Sequence, residues 1–72
     1  MKILITGSNG LLGQKLVQLI IEKGKDELIA TARGANRLPF AEDKYTYASM
    51  DITKKDEVME VVAKHQPEVI IH

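Results

Sequence analysis

Three glycines stand three residues apart in Gly7-Ser8-Asn9-Gly10-Leu11-Leu12-Gly13, directly after the apolar run Ile3-Leu4-Ile5 and Thr6. Each has a distinct task if a strand runs into a helix here. Gly7 can turn the chain sharply out of the strand with a positive φ. Gly10 has no side chain to keep an anion away from the backbone amides at the helix start. Gly13 lets the helix approach the strand closely. Amides exposed on the first turn, together with the helix dipole, favour a phosphate there by about 0.3–2 kcal/mol. The stretch from Gly7 through Asn9, Gly10, Leu11 and Leu12 to Gly13 is therefore a candidate pyrophosphate cradle. A plain turn with chance glycines is the alternative, and the strand-to-helix setting argues against it. A P-loop needs Lys followed by Ser or Thr after its last glycine; Gln14 stands there instead. With no cysteine and only His65 and His72, no metal-ligand set is apparent, and His72 reads as structural.

The elements that must position this loop follow from hydrophobic period. Residues 2–6 carry continuous apolarity, as suits a strand buried on both faces of a parallel sheet. Residues 11–23 change to a helical period, with Leu12, Leu16, Leu19 and Ile20 as the apolar face and Gly24 as the C-terminal cap. Residues 27–33 form a second strand, and 34–44 is the most loop-like segment. Residues 45–49 form a short third strand. Thr53-Lys54-Lys55-Asp56 has the form of a capping box opening a second helix, with Val58, Val61 and Val62 inward. Pro67 ends that helix, and a fourth strand starts at Glu68.

Strands joined by crossover helices give an α/β fold with a parallel sheet and right-handed connections. The natural strand order is 3-2-1-4, the N-terminal half of a Rossmann fold, with a ligand at the strands' C-terminal ends beside the switch between the first and fourth. The loop then serves a dinucleotide, and the end of the second strand selects which one. NAD-binding sites place an acid there for the ribose 2′-hydroxyl. Thr31-Ala32-Arg33-Gly34 offers none: Ala32 takes the position and Arg33 follows, with Arg37 four residues on. Arginine pairs with a 2′-phosphate that a carboxylate would repel. NADP(H) is therefore expected in preference to NAD(H), against the plainer reading of both arginines as solvated loop charges.

Thr6-Gly7-x-x-Gly10-x-x-Gly13 near the start, the Asp51-Ile52 pair after the third strand, and Pro67-x-Val69-Ile70-Ile71-His72 together resemble the extended short-chain dehydrogenase/reductases, the NAD-dependent epimerase/dehydratase superfamily. Within it the chain is most similar to the dTDP-4-dehydrorhamnose reductase group, through the compact segment between strands two and four. The resemblance implies that Asp51 accepts from the exocyclic amine of adenine and that Ile52 packs on the ring. The alternative makes Asp51 the cap of a turn and Ile52 core. It also implies catalysis by a Tyr-x-x-x-Lys pair with a Ser or Thr. Tyr45 and Tyr47 are followed four residues later by Ser49 and Asp51, so no catalytic residue is named.

The expected function is reduction of a nucleotide-activated keto-sugar, with the small-molecule substrate held by a part of the protein beyond these residues. An epimerase or dehydratase is a second expectation, and a non-catalytic NADP-sensing subunit a third. Ten basic and ten acidic residues leave zero net charge and give no support to a nucleic-acid or membrane surface. Apolar runs reach three residues, far below the roughly 20 of a bilayer span. A cytoplasmic location is expected, with homodimer formation left open. Folding at this length buries only about 60% of the unfolded surface. Residues 1–72 are thus expected to be the N-terminal part of an NAD(P)-binding domain in a chain continuing past His72, and not to fold alone.

Overall fold

The computed structural model describes residues 1–72. Strand β1 (Lys2–Ile5) leads through the glycine loop into helix α1 (Leu11–Lys23), and β2 (Glu27–Ala32) follows. A long loop containing one 3-10 turn (Glu42–Lys44) reaches β3 (Thr46–Ser49), then α2 (Lys55–His65) and β4 (Val69–Ile71). All pairings are parallel in the order β3-β2-β1-β4, the arrangement expected from the sequence. Thr6, Arg33 and Tyr45 fall just outside the strands assigned to them, although Thr6 N still donates to Ile71 O at 3.0 Å.

Consecutive residues of β1 point to opposite faces, yet Ile3, Leu4 and Ile5 are all buried, which is why this strand carries no polar alternation. One face joins Ile3, Ile5, Leu28 and Ala30 to Val17 of α1 and to Leu38 and Tyr45 of the long loop. The other carries Leu4 beside Ile29, with Thr31 two residues on, all fully buried. Each large side chain buried this way contributes about 1.5–3 kcal/mol. Thr31 is tolerated inside because its hydroxyl donates to Ile5 O at 2.7 Å.

Two details depart from the sequence reading. Helix α1 turns Gly13 and Val17 inward, with Leu16, Ile20 and Ile21 packed beside them. Leu12 and Leu19, assigned to the inner face, are 75% and 55% exposed. The glycine permits a close approach that a leucine stripe would prevent, so the helix is rotated toward its smallest residues. The capping box does not form either. Helix α2 starts at Lys55 with Lys54 as N-cap and no side-chain cap. Thr53 instead donates its hydroxyl to Asp51 Oδ1 at 2.6 Å, and the carboxylate reaching back is that of Glu57, which accepts from Asp51 N at 3.0 Å. At the other end Gln66 adopts φ 49° and donates its N–H to Val62 O, while Lys2 Nζ donates to His65 O at 2.8 Å. Val58, Val61 and Val62 are half-buried, and no residue of α2 is fully buried.

Candidate functional site

The glycine loop is held from both sides. Ser8 N donates to Thr31 O at 2.9 Å, anchoring the loop to β2, and Gly10 N donates to Gly7 O at 3.1 Å, closing the turn. Gly7 sits at φ +65°, the left-handed region that only glycine enters without cost. A side chain at Gly13 would overlap the Gly7 carbonyl and lie 2.8 Å from Ser8 Cα, whereas one at Gly10 would meet nothing nearer than 3.5 Å. Gly13 is thus required by packing. Gly10 is not, and its bare Cα leaves room in front of the helix.

Gly10 caps α1 in extended geometry without a side-chain bond, and the helical ladder begins at Gln14 N donating to Gly10 O. The amides of Leu11, Leu12 and Gly13 consequently have no acceptor in the helix. The first turn contains no acidic residue to compete for the positive end of the dipole. Leu11 is 89% exposed and flanks this turn.

Three contiguous clefts meet at Gly7 along the C-terminal edge of the sheet. The first, about 380 Å³, lies between the glycine loop and the end of β2 and brings Gly10, Asn9 and Ala32 together with Arg33 and Arg37. The second, about 300 Å³, runs from Arg33 to Met50, Asp51 and Ile52. The third lies at the switch between β1 and β4, with Leu11, Leu12, Ile71 and His72 in its wall. Thr6 Oγ1 is 2.8 Å from His72 Nδ1 there, joining the two strand ends. A larger hollow at the opposite end of the sheet contains Met1 as its one apolar residue. Lys2 there is engaged with Glu27 at 3.5 Å, and the hollow lacks the apolar wall a ring would need.

Every residue proposed from sequence as a cofactor contact therefore borders one continuous groove. Ala32 is buried and supplies no carboxylate, while Arg33 and Arg37 are exposed beside it. Asp51 does form the turn of the alternative reading: its Oδ1 accepts from Thr53 N at 2.9 Å as well as from the Thr53 hydroxyl. These two bonds, the hydroxyl first, hold the Asp51 carboxyl below its ordinary value, and the positive charges of Arg33 and Lys54 add to the effect. Ile52 is 50% exposed in the groove wall and so is not core.

Sequence reasoning missed Tyr47. Its hydroxyl lies 3.0 Å from Ala32 O and 2.8 Å from Gly34 O, pinning the turn that carries Arg33. Burial pushes its pKa up, and Tyr45 adds to the rise against a lowering by Asn9. Alternation along β3 was the available signal, but it placed Tyr47 in a strand without naming its partners. Ser8 Oγ is fully buried without a hydrogen-bond partner.

Comparison with known proteins agrees with this architecture. The profile of the NAD dependent epimerase/dehydratase family matches residues 3–72. The chain belongs to that family. Among curated epimerase/dehydratase relatives, it is 35% identical over 71 residues to a dTDP-4-dehydrorhamnose reductase of Aggregatibacter actinomycetemcomitans, covering 99% of this chain and 19% of the relative. It is 29% identical to dTDP-glucose 4,6-dehydratase 1 of Escherichia coli K12, covering 100% of this chain and 22% of that protein. The chain thus spans about a fifth of the length of the curated relatives it matches. Among solved structures, L-threonine dehydrogenase from Clostridium difficile superposes with a TM-score of 0.82 at 32% identity, over 99% of this chain and 23% of that one. No helix here is long and apolar enough to cross a membrane.

Proposed function

We propose that residues 1–72 supply the dinucleotide-binding part of an NADPH-dependent reductase acting on a nucleotide-activated keto-sugar. The observation that carries this reading is the first cleft, where Arg33 and Arg37 flank Ala32 opposite Gly10 and no carboxylate lines the wall. The residues present fit the cofactor. The open face of Gly10 and the amides of Leu11, Leu12 and Gly13 receive the pyrophosphate, and the guanidinium groups receive the 2′-phosphate. Asp51 Oδ2, left free while Oδ1 is bonded to Thr53, accepts from the adenine amine, and Ile52 packs on the ring. When bound, the dinucleotide supplies a hydride to a carbonyl; these residues bind and orient it. General acid chemistry and sugar recognition belong to the rest of a longer protein, for which a cytoplasmic location is proposed.

The test is dinucleotide affinity in the whole protein before and after Arg33→Ala. A charge-assisted contact is worth about tenfold to a hundredfold, so NADPH affinity should fall by that factor while NADH affinity stays within about twofold. Equal or absent losses would overturn the preference. A second reading, an epimerase or dehydratase that retains NAD, draws on the likeness to the dTDP-glucose 4,6-dehydratase. Stoichiometric NADPH oxidation with keto-sugar nucleotides favours the reductase; turnover of a sugar nucleotide without net oxidation favours the other.

A further inference from the structure

Both polar atoms of the Asn9 side chain are spent on the loop that carries the arginines. Nδ2 donates to Ala35 O at 3.0 Å, and Oδ1 accepts from Arg37 N at 2.9 Å. The Asn9 backbone is itself tied to the first helix, because Gln14 Nε2 donates to its carbonyl at 2.8 Å. The far side of the same loop is fixed by Tyr47 on Gly34 O and by Asn36, which donates to the Tyr45 hydroxyl at 2.8 Å. The Ala35–Arg37 segment is therefore stretched between the third strand and the glycine loop, and Asn9 is its attachment to the glycine loop.

We propose that Asn9 is a positioning residue for cofactor choice, holding the Arg37 segment against the glycine loop so that its guanidinium faces the 2′-phosphate without Asn9 touching that group. The proposal rests on the reading of Arg33 and Arg37 given above. Its physical basis is preorganisation. A loop already fixed by two hydrogen bonds loses little freedom when the phosphate arrives, whereas an untethered one must be ordered at the expense of affinity. The effect is confined to ligands that use Arg37, which separates it from a contact to the shared pyrophosphate.

The deciding experiment measures NADPH and NADH affinities of the whole protein for wild type, Asn9→Ala, Arg37→Ala and the double variant, with hydrogen exchange at the Arg37 amide in cofactor-free protein. Asn9→Ala should weaken NADPH roughly tenfold and NADH by less than about twofold. It should add little on the Arg37→Ala background, because the two residues act through one contact. The Arg37 amide should exchange faster once its acceptor is gone. Asn9→Ser must follow the same pattern, which guards against a folding defect peculiar to one variant. Equal losses for the two dinucleotides, or losses that simply add, overturn the proposal. A wild type indifferent to the 2′-phosphate refutes the cofactor preference instead, and with it the effect on choice, whereas faster Arg37 exchange would still uphold the tether.

Discussion

Gly13 and Gly7 are in contact through backbone alone: a Cβ added at Gly13 would overlap the Gly7 carbonyl oxygen and stand 3.0 Å from its carbon. The opening turn of the first helix is thus seated on the turn that leaves the first strand. Gly10, midway between them, shares none of this crowding.

The pair Gly13→Ala and Gly10→Ala should therefore separate folding from binding. Helix propensity alone would make Gly13→Ala stabilising by about 1 kcal/mol. Overlap with backbone, which cannot rotate away, costs about 3 kcal/mol and wins, so the urea midpoint should fall by the equivalent of about 2 kcal/mol. Gly10→Ala should change stability by less than about 1 kcal/mol, since its backbone is ordinary extended geometry at φ −76°. Its methyl nevertheless stands at the proposed pyrophosphate site, so dinucleotide affinity should drop by at least about tenfold. A stabilised Gly13→Ala, or a Gly10→Ala variant with undiminished affinity, would contradict the respective role.

The Asp51 turn carries a pH signature. Its carboxyl is lowered chiefly by the Thr53 hydroxyl, so a carboxyl-carbon NMR titration should find it below the ordinary 3.8. Thr53→Val should return it part of the way, because the Thr53 N–H and the charges of Arg33 and Lys54 remain. For a carboxyl lowered on folding, the contribution is complete above the unfolded value and disappears as pH falls through the folded one. The turn should hold at neutral pH and loosen only in acid. An unchanged titration in the variant would remove the hydroxyl as the leading cause.

Tyr47 behaves in the opposite sense. Its pKa is raised above 10.0, first by burial, so its contribution is complete below that value and fades as pH climbs through the folded one. Tyr47→Phe should cost about 1 kcal/mol at neutral pH through the bonds to Ala32 O and Gly34 O. The difference between wild type and variant should shrink in strong alkali. Denaturant melts at neutral and alkaline pH check this, and a constant difference would rule out the hydroxyl as its source.

The strand order and the groove were legible because both rest on local signals. Uninterrupted apolarity in residues 3–5 marks a doubly covered strand, and the spacing of Gly7, Gly10 and Gly13 marks a turn and a close approach. The inner face of α1 was misread because Leu12 and Leu19 are strongly apolar, whereas Gly13, which determines the seating, registers on no hydropathy argument. The capping box failed because the helix starts one residue late, with Lys54 rather than Thr53 at its N-cap. Thr53 is drawn instead into the Asp51 turn, which spacing does not reveal. Asn9 reads from the sequence as part of the pyrophosphate cradle. That its amide reaches across to Ala35 and Arg37 depends on how a distant loop folds back.

The strand order also bears on biogenesis. β1 is made before the other three strands and ends up with a neighbour on each side. Its edge toward β2 is satisfied once residues 27–30 emerge, but the edge toward β4 waits for residues 69–71. At roughly 5–20 residues per second, that interval lasts on the order of seconds on the ribosome. Throughout it, the apolar Ile3-Leu4-Ile5 segment presents unpaired backbone to any nearby nascent chain. A strand paired on both sides in the finished fold is thus among the most vulnerable during synthesis.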